Sequence, residues 1–238
     1  MKSSYLFLSA IAAGIFSAPA LSSVVVQGTR IIYPESAKEI TVKMTNQGKT
    51  PLLVQSWLDD GHENGDPAKM KLPFIVTPPV SRLDPAKGQS VRVTWIGQAL
   101  PQDRESIFWF NVLEIPPKTA SAEGSSKLNL ALRSRIKFFY RPKNLTGSFI
   151  DGLNNVSWSI KNNAITLKNT SPYYLSIVGG NVWVGEKKYT YKAKMLSPFS
   201  EQNFAVPQLA TAAVSKVSWT GLNDYGAVTE VVKTSRLC

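Results

Sequence analysis

Residues Lys127 to Tyr140 read KLNLALRSRIKFFY and are followed by the pair Arg141-Pro142. Successive side chains of a β-strand point to opposite faces of a sheet, so this stretch has two distinct sides. One side carries Leu128, Leu130 and Leu132, and the other carries Asn129, Ala131 and Arg133. The segment is long for a strand, and its alternation predicts an apolar face that either covers a core or binds another chain.

The same period-2 alternation recurs in much of the chain. Examples are Ile40, Val42 and Met44 before the turn Asn46-Gln47-Gly48, and Val91, Val93 and Trp95 after Lys87-Gly88. Turn residues interrupt these runs about every ten positions, which is typical of a β-sandwich. No stretch sustains an apolar stripe with a period of 3.6 residues, so we expect few and short helices. The predicted fold class is all-β.

The length of 238 residues leaves room for two hydrophobic cores of about 100 residues each. Segment 144–152 is polar and contains glycine, which marks a connection between domains. A second series of short apolar runs follows it, beginning with Val156, Trp158 and Ile160. The predicted domains are therefore residues 21–142 and 143–238.

The first twenty residues form a separate kind of segment. Lys2 precedes an apolar run from Tyr5 to Phe16, and Ala18-Pro19-Ala20 offers a small-residue cleavage site. A membrane anchor is the alternative, but the run is shorter than the roughly 20 apolar residues that span a bilayer. We expect residues 1–20 to be a signal peptide, cleaved between about 20 and 23, and the mature protein to be soluble outside the cytoplasm.

The chain is basic, with 27 lysines and arginines against 16 acidic residues, a net charge of +11 and a pI near 9.7. This charge favours acidic protein partners or an anionic surface. Nucleic acid is disfavoured, because the basic residues are scattered among apolar positions and do not form a tract. The single cysteine, Cys238, cannot form a disulfide within the chain and is expected to be a frayed terminal residue or to pair between chains.

The sequence contains no recognisable catalytic or metal-binding set. The only histidine, His62, lies in a polar loop, Asp59 to Pro67, that we expect to stay outside the core. One histidine and one terminal cysteine fall short of a zinc site. The acidic residues of the loop match no calcium-binding spacing, so a solubilising turn is favoured. We predict neither an enzyme nor a metal or cofactor.

Two basic residues stand within apolar strands. Arg30 precedes Ile31-Ile32-Tyr33, and Lys137 lies between Ile136 and Phe138. Each could extend its charge from a strand to solvent. The alternative is a pair of cations that line a cleft and bind a carboxylate, but the sequence alone cannot place them together.

The run from Leu100 to Pro116, LPQDRESIFWFNVLEIP, resembles the signature of the periplasmic pilus chaperones, the PapD-like family. The resemblance extends in order over the whole mature chain. Its further motifs are Thr29 to Tyr33, Thr77-Pro78-Pro79 with Arg82-Leu83 and Pro85, Lys137 to Pro142, Ser171 to Tyr174, Ser197-Pro198, and Asn223 to Gly226.

This resemblance implies two immunoglobulin-like β-sandwich domains arranged in an L with a cleft between them. It implies that Arg30 and Lys137 hold the C-terminal carboxylate of a pilus subunit in that cleft. Leu128, Leu130 and Leu132 would then complete the subunit's sandwich by donor-strand complementation. Glu105, Arg141 and Asp224 would form an ion-pair network that sets the angle between the domains.

The resemblance also implies a periplasmic location, delivery of subunits to an outer-membrane usher, and a possible homodimer that covers the exposed strand. Two features depart from parts of the family. A second-domain disulfide is impossible with Cys238 alone, and the short loop Pro116 to Lys127 resembles the subclass that assembles thick, rod-like pili.

Two other classes of function stay open at this point. A sugar-binding adhesin is suggested by the abundant aromatic residues, including Trp57, Trp95 and Trp109. An enzyme is the weaker alternative, because no nucleophile, acid-base pair or metal set can be named.

Overall fold

The computed structural model describes residues 23–117, 130–207, 209 and 214–234. The predicted signal peptide, Leu128, Cys238 and most of the loop Pro116 to Lys127 lie outside these ranges. Over the described ranges the chain forms sixteen strands and one short helix. The predicted all-β fold with few helices is confirmed.

The first domain is a sandwich of two sheets. Its strands are β1 (Val24–Val26), β2 (Arg30–Pro34), β3 (Glu39–Asn46), β4 (Leu52–Asp59), β5 (Phe74–Thr77), β6 (Val80–Leu83), β7 (Gly88–Trp95), β8 (Ser106–Ile115) and β9 (Leu132–Arg141). One sheet has the order β1-β3-β7-β5 and the other β2-β9-β8-β4-β6. Neighbouring strands are antiparallel except β2 and β9, which are parallel.

The core of this domain lies between the two sheets and follows from the alternation in the sequence. The even-numbered side chains Phe138 and Tyr140 of β9 and Phe108 and Phe110 of β8 point inward and are buried. Tyr33 of β2 is fully buried, and its hydroxyl accepts a hydrogen bond from the Trp95 N–H over 3.1 Å. This tyrosine fastens β2 to the core, so the start of β2 has a fixed position beside β9.

Strand β9 differs from its prediction at both ends. We expected a strand from Lys127 to Tyr140, whereas β9 begins at Leu132 and includes Arg141. Leu130 and Ala131 precede the strand without regular secondary structure. The C-terminal extension arises because Arg141 still pairs with Pro34 of β2.

The second domain is also a sandwich. Its strands are β10 (Ser157–Lys161), β11 (Ala164–Lys168), β12 (Ile177–Val184), β13 (Lys187–Lys192), β14 (Glu201–Ala205), β15 (Lys216–Leu222) and β16 (Val228–Thr234). The two sheets have the orders β10-β11-β14 and β13-β12-β15-β16. The second core is separate from the first and contains the fully buried Trp219, Leu167 and Val182.

A short helix, α1 (Phe149–Asn154), lies between the domains along the chain. Ser148 caps it in a reciprocal capping box with Asp151, which satisfies free backbone N–H groups at the helix start. The indole N–H of Trp219 donates to the Leu153 carbonyl over 3.0 Å, so the helix is attached to the second core. None of the helices in the described part of the chain has the length and apolar character needed to cross a membrane.

Candidate functional site

Arg30 and Lys137 are register partners in the parallel pairing of β2 with β9. Both side chains are partly buried, and they lie on the outer face of the sheet because their neighbours Ile31 and Phe138 point into the core. Within the described residues, no carboxylate forms an ion pair with either cation. The structure therefore brings together two cations that the sequence could not connect.

The surroundings of this pair disfavour positive charge. Burial lowers the pKa of Lys137, and the nearby charge of Arg30 lowers it further. Burial also lowers the pKa of Arg30, against the opposing effects of Asp224 and Glu105. Both cations are partly desolvated, so an anion placed between them would be bound more strongly than at an exposed site.

Arg30 also contacts the second domain. Its Nη1 donates a hydrogen bond of 2.8 Å to the carbonyl of Leu222 on β15, and its buried Nε has no partner among the described residues. The guanidinium is thus held at the domain junction with hydrogen-bonding capacity left over. This position suits a group that binds a ligand in the cleft.

Glu105, Arg141 and Asp224 form one continuous network across the domain junction. Arg141 donates from Nε to Glu105 over 2.7 Å and, through Nη1 and Nη2, to both oxygens of Asp224 over 2.7 and 2.9 Å. Glu105 Oε2 accepts from the backbone N–H of Tyr174 over 2.8 Å. Each domain therefore contributes a charged group to a bidentate, hydrogen-bonded set.

Burial dominates the electrostatics of this network. Burial raises the pKa of Glu105 and outweighs the opposing effects of Arg141 and of the Tyr174 N–H. Burial lowers the pKa of Arg141, but the hydrogen bonds and charges of Asp224 and Glu105 outweigh it, and the net pKa lies above its usual value. The charge of Glu105 is thus tolerated only while Arg141 is present.

Two asparagines, one buried and one in a turn, position the second-domain side of this network. The sequence analysis assigns a role to neither, although Asn223 stands in one of the motifs of the resemblance. Asn169 is fully buried and donates to the carbonyls of Tyr173 and Ser197 over 2.7 and 2.8 Å, which shapes the loop that contacts Glu105. Asn223 accepts from the Tyr225 and Ala227 N–H groups and forms the turn that presents Asp224.

The β9 segment next to the cation pair has a free edge, since no strand among the described residues pairs with it there. Strand β8 pairs with β9 from Leu132 to Tyr140, whereas β2 pairs with it only from Lys137 onward. Leu132 is 48% exposed and Leu130, just before the strand, is 65% exposed. They continue the face that carries the buried Phe138, so an apolar face extends beyond the end of the domain's own core.

Asp59 corrects the prediction that the loop Asp59 to Pro67 stays outside the core. This residue ends β4, is fully buried, and accepts hydrogen bonds from Asn111 over 2.8 Å and from Arg135 Nε over 2.9 Å. Burial by itself raises the pKa of Asp59, but the hydrogen bonds from Arg135, Asn111 and Gly61 outweigh it and hold the pKa below its usual range. One signal for this burial is present in the sequence: Asp59 directly follows an apolar strand.

The remaining loop agrees with a solvated turn. The His62 side chain is largely exposed and hydrogen-bonds to Asp60, two residues earlier. In the described part of the chain, no group of three or more ligating side chains could hold a metal ion. The indoles of Trp57 and Trp109 are covered by the guanidinium groups of Arg133 and Arg135, at 5.1 and 4.6 Å from the ring centroids. They do not form an open stacking platform for a sugar.

Comparison with protein families finds a match for each of the two domains. Residues 23–146 match the family described as pili and flagellar-assembly chaperone, PapD N-terminal domain, and residues 151–233 match the pili assembly chaperone PapD, C-terminal domain. Together with the two sandwiches and the cation pair at their junction, these matches define the class, a two-domain pilus-assembly chaperone. The chain belongs to the PapD family of fimbrial chaperones of the chaperone–usher type.

Individual relatives agree with this assignment. The chain is 40% identical over 223 residues to the probable fimbrial chaperone YadV of Escherichia coli K12, covering 90% of this chain and 91% of that one. It is 40% identical to the chaperone FimB/FhaD of Bordetella pertussis over 88% of this chain and 87% of the relative.

Solved structures share the fold. The crystal structure of YadV superposes with a TM-score of 0.78 at 38% identity, over 90% of this chain and all of that one. The SafB chaperone of Salmonella enterica, solved in complex with the SafA pilin, gives a TM-score of 0.76 at 26% identity over 92% and 99% of the two chains. Because these relatives are assembly chaperones, the prediction that this chain is not an enzyme is confirmed.

The desolvated Lys137 leads to a prediction about stability. Lys137→Met should raise the melting temperature at pH 7 by up to about 3 °C, because it removes a charge that burial and Arg30 disfavour in the folded state. Because the pKa of Lys137 is lowered in the folded state, the charge of Lys137 destabilises the fold fully at pH values below that pKa. This destabilisation disappears as the pH rises to the ordinary pKa of 10.5. Differential scanning fluorimetry from pH 7 to 10.5 should show the gain shrinking. Lys43→Met, at an exposed position of β3, is the control. An unchanged or lower melting temperature of Lys137→Met at pH 7 contradicts the prediction.

The buried Glu105 leads to a second prediction. Arg141→Met should lower the free energy of unfolding by about 3–5 kcal/mol, because it leaves a buried carboxylate without its cation. The double variant with Glu105→Gln should lose less than Arg141→Met alone, since the uncompensated charge is then absent. Thermal and urea unfolding measure both variants. A double variant that is less stable than Arg141→Met would refute this account.

Proposed function

We propose that this chain is a periplasmic chaperone that captures pilus subunits by donor-strand complementation and delivers them to an outer-membrane usher. The observation that carries the proposal is the free β9 edge, Leu132 to Ile136, which ends at the cation pair Arg30 and Lys137. An edge with open backbone groups accepts another strand, and two cations at its end select a chain that terminates there.

The register of β2 supports a specific orientation for the client strand. Strand β2 runs parallel to β9 and begins at Arg30, opposite Lys137. A client strand that pairs with β9 from Leu132 to Ile136 and ends at Lys137 would run in the same direction as β9. It would lie in line with β2, and its C-terminal carboxylate would reach both cations. Fixing the C-terminus of the client strand at these cations would thus set both its direction and its register on β9.

The leucine face supplies the apolar part of the interaction. Leu130 and Leu132 would fill the groove of a subunit whose immunoglobulin-like fold lacks a strand, with Leu128 as a further member of the set that lies outside the described residues. Burial contributes roughly 1.5–3 kcal/mol for each leucine before ordering costs are subtracted. Satisfying the open edge and covering the groove both prevent aggregation of the client.

The network of Glu105, Arg141 and Asp224 fits this function as the element that fixes the cleft. It joins the domains through the Tyr174 N–H and through Asp224, which lies two residues after Leu222. It would therefore hold Arg30 close to Leu222 and keep the anion site assembled. The SafB–SafA complex supports pilus subunits as the client class. Family membership and the predicted signal peptide support three further parts of the proposal: a periplasmic location, an usher as partner, and a homodimer that covers the free edge.

The carboxylate anchor can be tested with charge-removing variants. Arg30→Ala and Lys137→Ala should each abolish recovery of a stable complex with a pilus subunit encoded beside this chain, while the chaperone stays folded by circular dichroism. Lys43→Ala, another basic strand residue but on the opposite sheet, is the matched control. Extending the subunit by a few residues beyond its C-terminus should have the same effect as the chaperone variants. Normal capture by both variants would exclude the anchor.

The donor face can be tested with leucines of equal exposure. Leu132→Ser should weaken subunit capture by about tenfold or more, because roughly 1.5–3 kcal/mol of apolar burial is lost. Leu53→Ser on β4 is matched, since Leu53 is 46% exposed and Leu132 is 48% exposed. Pull-down and surface plasmon resonance should show normal capture by the Leu53 variant. Equal losses for the two variants would mean that general surface hydrophobicity, and not β9, binds the client.

A further inference from the structure

A partly buried polar cluster on the outer face of the sheet contacts the free segment of β9. Arg133 and Arg135 alternate with Leu132, Ser134 and Ile136, so they point away from the leucine face. Both arginines reach across β8 to Asp59 at the end of β4. The cluster therefore touches the segment that lacks a β2 neighbour and leaves its exposed edge open.

Asp59 uses both carboxylate oxygens in this cluster. Oδ2 accepts from Arg135 Nε over 2.9 Å, from Asn111 over 2.8 Å and from Arg133 Nη2 over 3.4 Å. Oδ1 accepts from Arg135 Nη2 and from the Gly61 N–H. Bidentate binding by Arg135 fixes direction as well as distance, which a single lysine contact does not.

The loop that follows Asp59 closes over the same arginines. Arg133 Nη1 donates to the Glu63 carbonyl over 2.6 Å, and Arg133 Nε donates to Asn111 over 2.9 Å. Gly61 has a φ of +110° and packs under Trp109, where a Cβ would lie 3.2 Å from the ring. The turn at Gly61 thus brings the loop back to β9.

We propose that Asp59 is a positioning residue that keeps the client-binding segment Leu132–Ile136 flat against β8 before a subunit arrives. An edge segment with one backbone neighbour frays, and ordering it on binding costs conformational entropy. Side-chain restraint by Asp59 takes the place of the missing neighbour and reduces that cost, as preorganisation does in other complexes. This inference rests on the proposed function, because it assigns the restraint to subunit capture.

The test combines hydrogen exchange of the free chaperone with subunit capture. Asp59→Asn should speed amide exchange within residues 132–136 by about tenfold and weaken capture by about tenfold, with exchange in β3 and β7 unchanged. Arg135→Lys, which keeps the charge but loses the bidentate contact, should behave like Asp59→Asn. Adding Asp59→Asn to Arg135→Gln should cause little further loss, because both changes break the same contact.

Val91→Ala serves as a control for general stability, since Val91 is fully buried on β7 and does not contact the cluster. The proposal is overturned if exchange in residues 132–136 is unchanged, or if Val91→Ala weakens capture as much as Asp59→Asn at equal loss of stability. Should Asp59→Asn not fold, Arg133→Gln and Arg135→Gln carry the same expectations at partly exposed positions. If the unaltered chaperone captures no subunit, the proposed function fails, whereas the exchange measurement still decides whether Asp59 restrains β9.

Discussion

Among the residues that the structure describes, strand β9 has neighbours on both edges only from Lys137 to Tyr140, and the arrangement of the first domain depends on this partial pairing. Where both neighbours are present, Phe138 and Tyr140 enter the core and Phe139 packs against Tyr174 of the second domain. Where β2 is absent, the same strand presents Leu132 and an open backbone edge. The C-terminal half of β9 therefore packs in the first domain, and its N-terminal half forms the proposed binding surface. Arg30 lies at the boundary between these two halves.

The second domain acts on this strand through polar contacts and one ring contact, and not through a shared core. The two hydrophobic cores are separate, while the described contacts at the junction include the Glu105–Arg141–Asp224 network, the hydrogen bond from Arg30 to Leu222 and the rings of Phe139 and Tyr174. Charged, directional contacts fix orientation more strictly than apolar packing of the same size. This suits a cleft in which two cations must stay close to a strand end.

Several features oppose stability in the free chain. Lys137 and Arg30 are desolvated without a counter-ion among the described residues, and Leu130 and Leu132 expose apolar surface next to an open edge. Each of these costs would be relieved by one ligand that carries a terminal carboxylate and an apolar groove. In our proposal Asp59 restrains the strand segment that carries Leu132, so the order of the free segment and its capacity to bind a client depend on the same contact.

The sequence by itself determined the all-β class, because period-2 alternation and turn residues depend on local geometry. Its family resemblance named Arg30, Lys137, Glu105, Arg141 and Asp224, whose roles remain predictions although the structure brings them together. Only the tertiary structure decided that Arg30 is the register partner of Lys137, that β9 begins at Leu132, and that Asp59 is buried. Each of these depends on contacts between residues far apart in the chain: β2 pairs with a strand more than a hundred residues later, and Asp59 is buried because Arg133 and Arg135 reach it across β8. Local pattern carries no information about such partners. The polar stretch that begins at Asp59 therefore predicts a solvated loop, whereas the contacts with the two arginines bury its first residue.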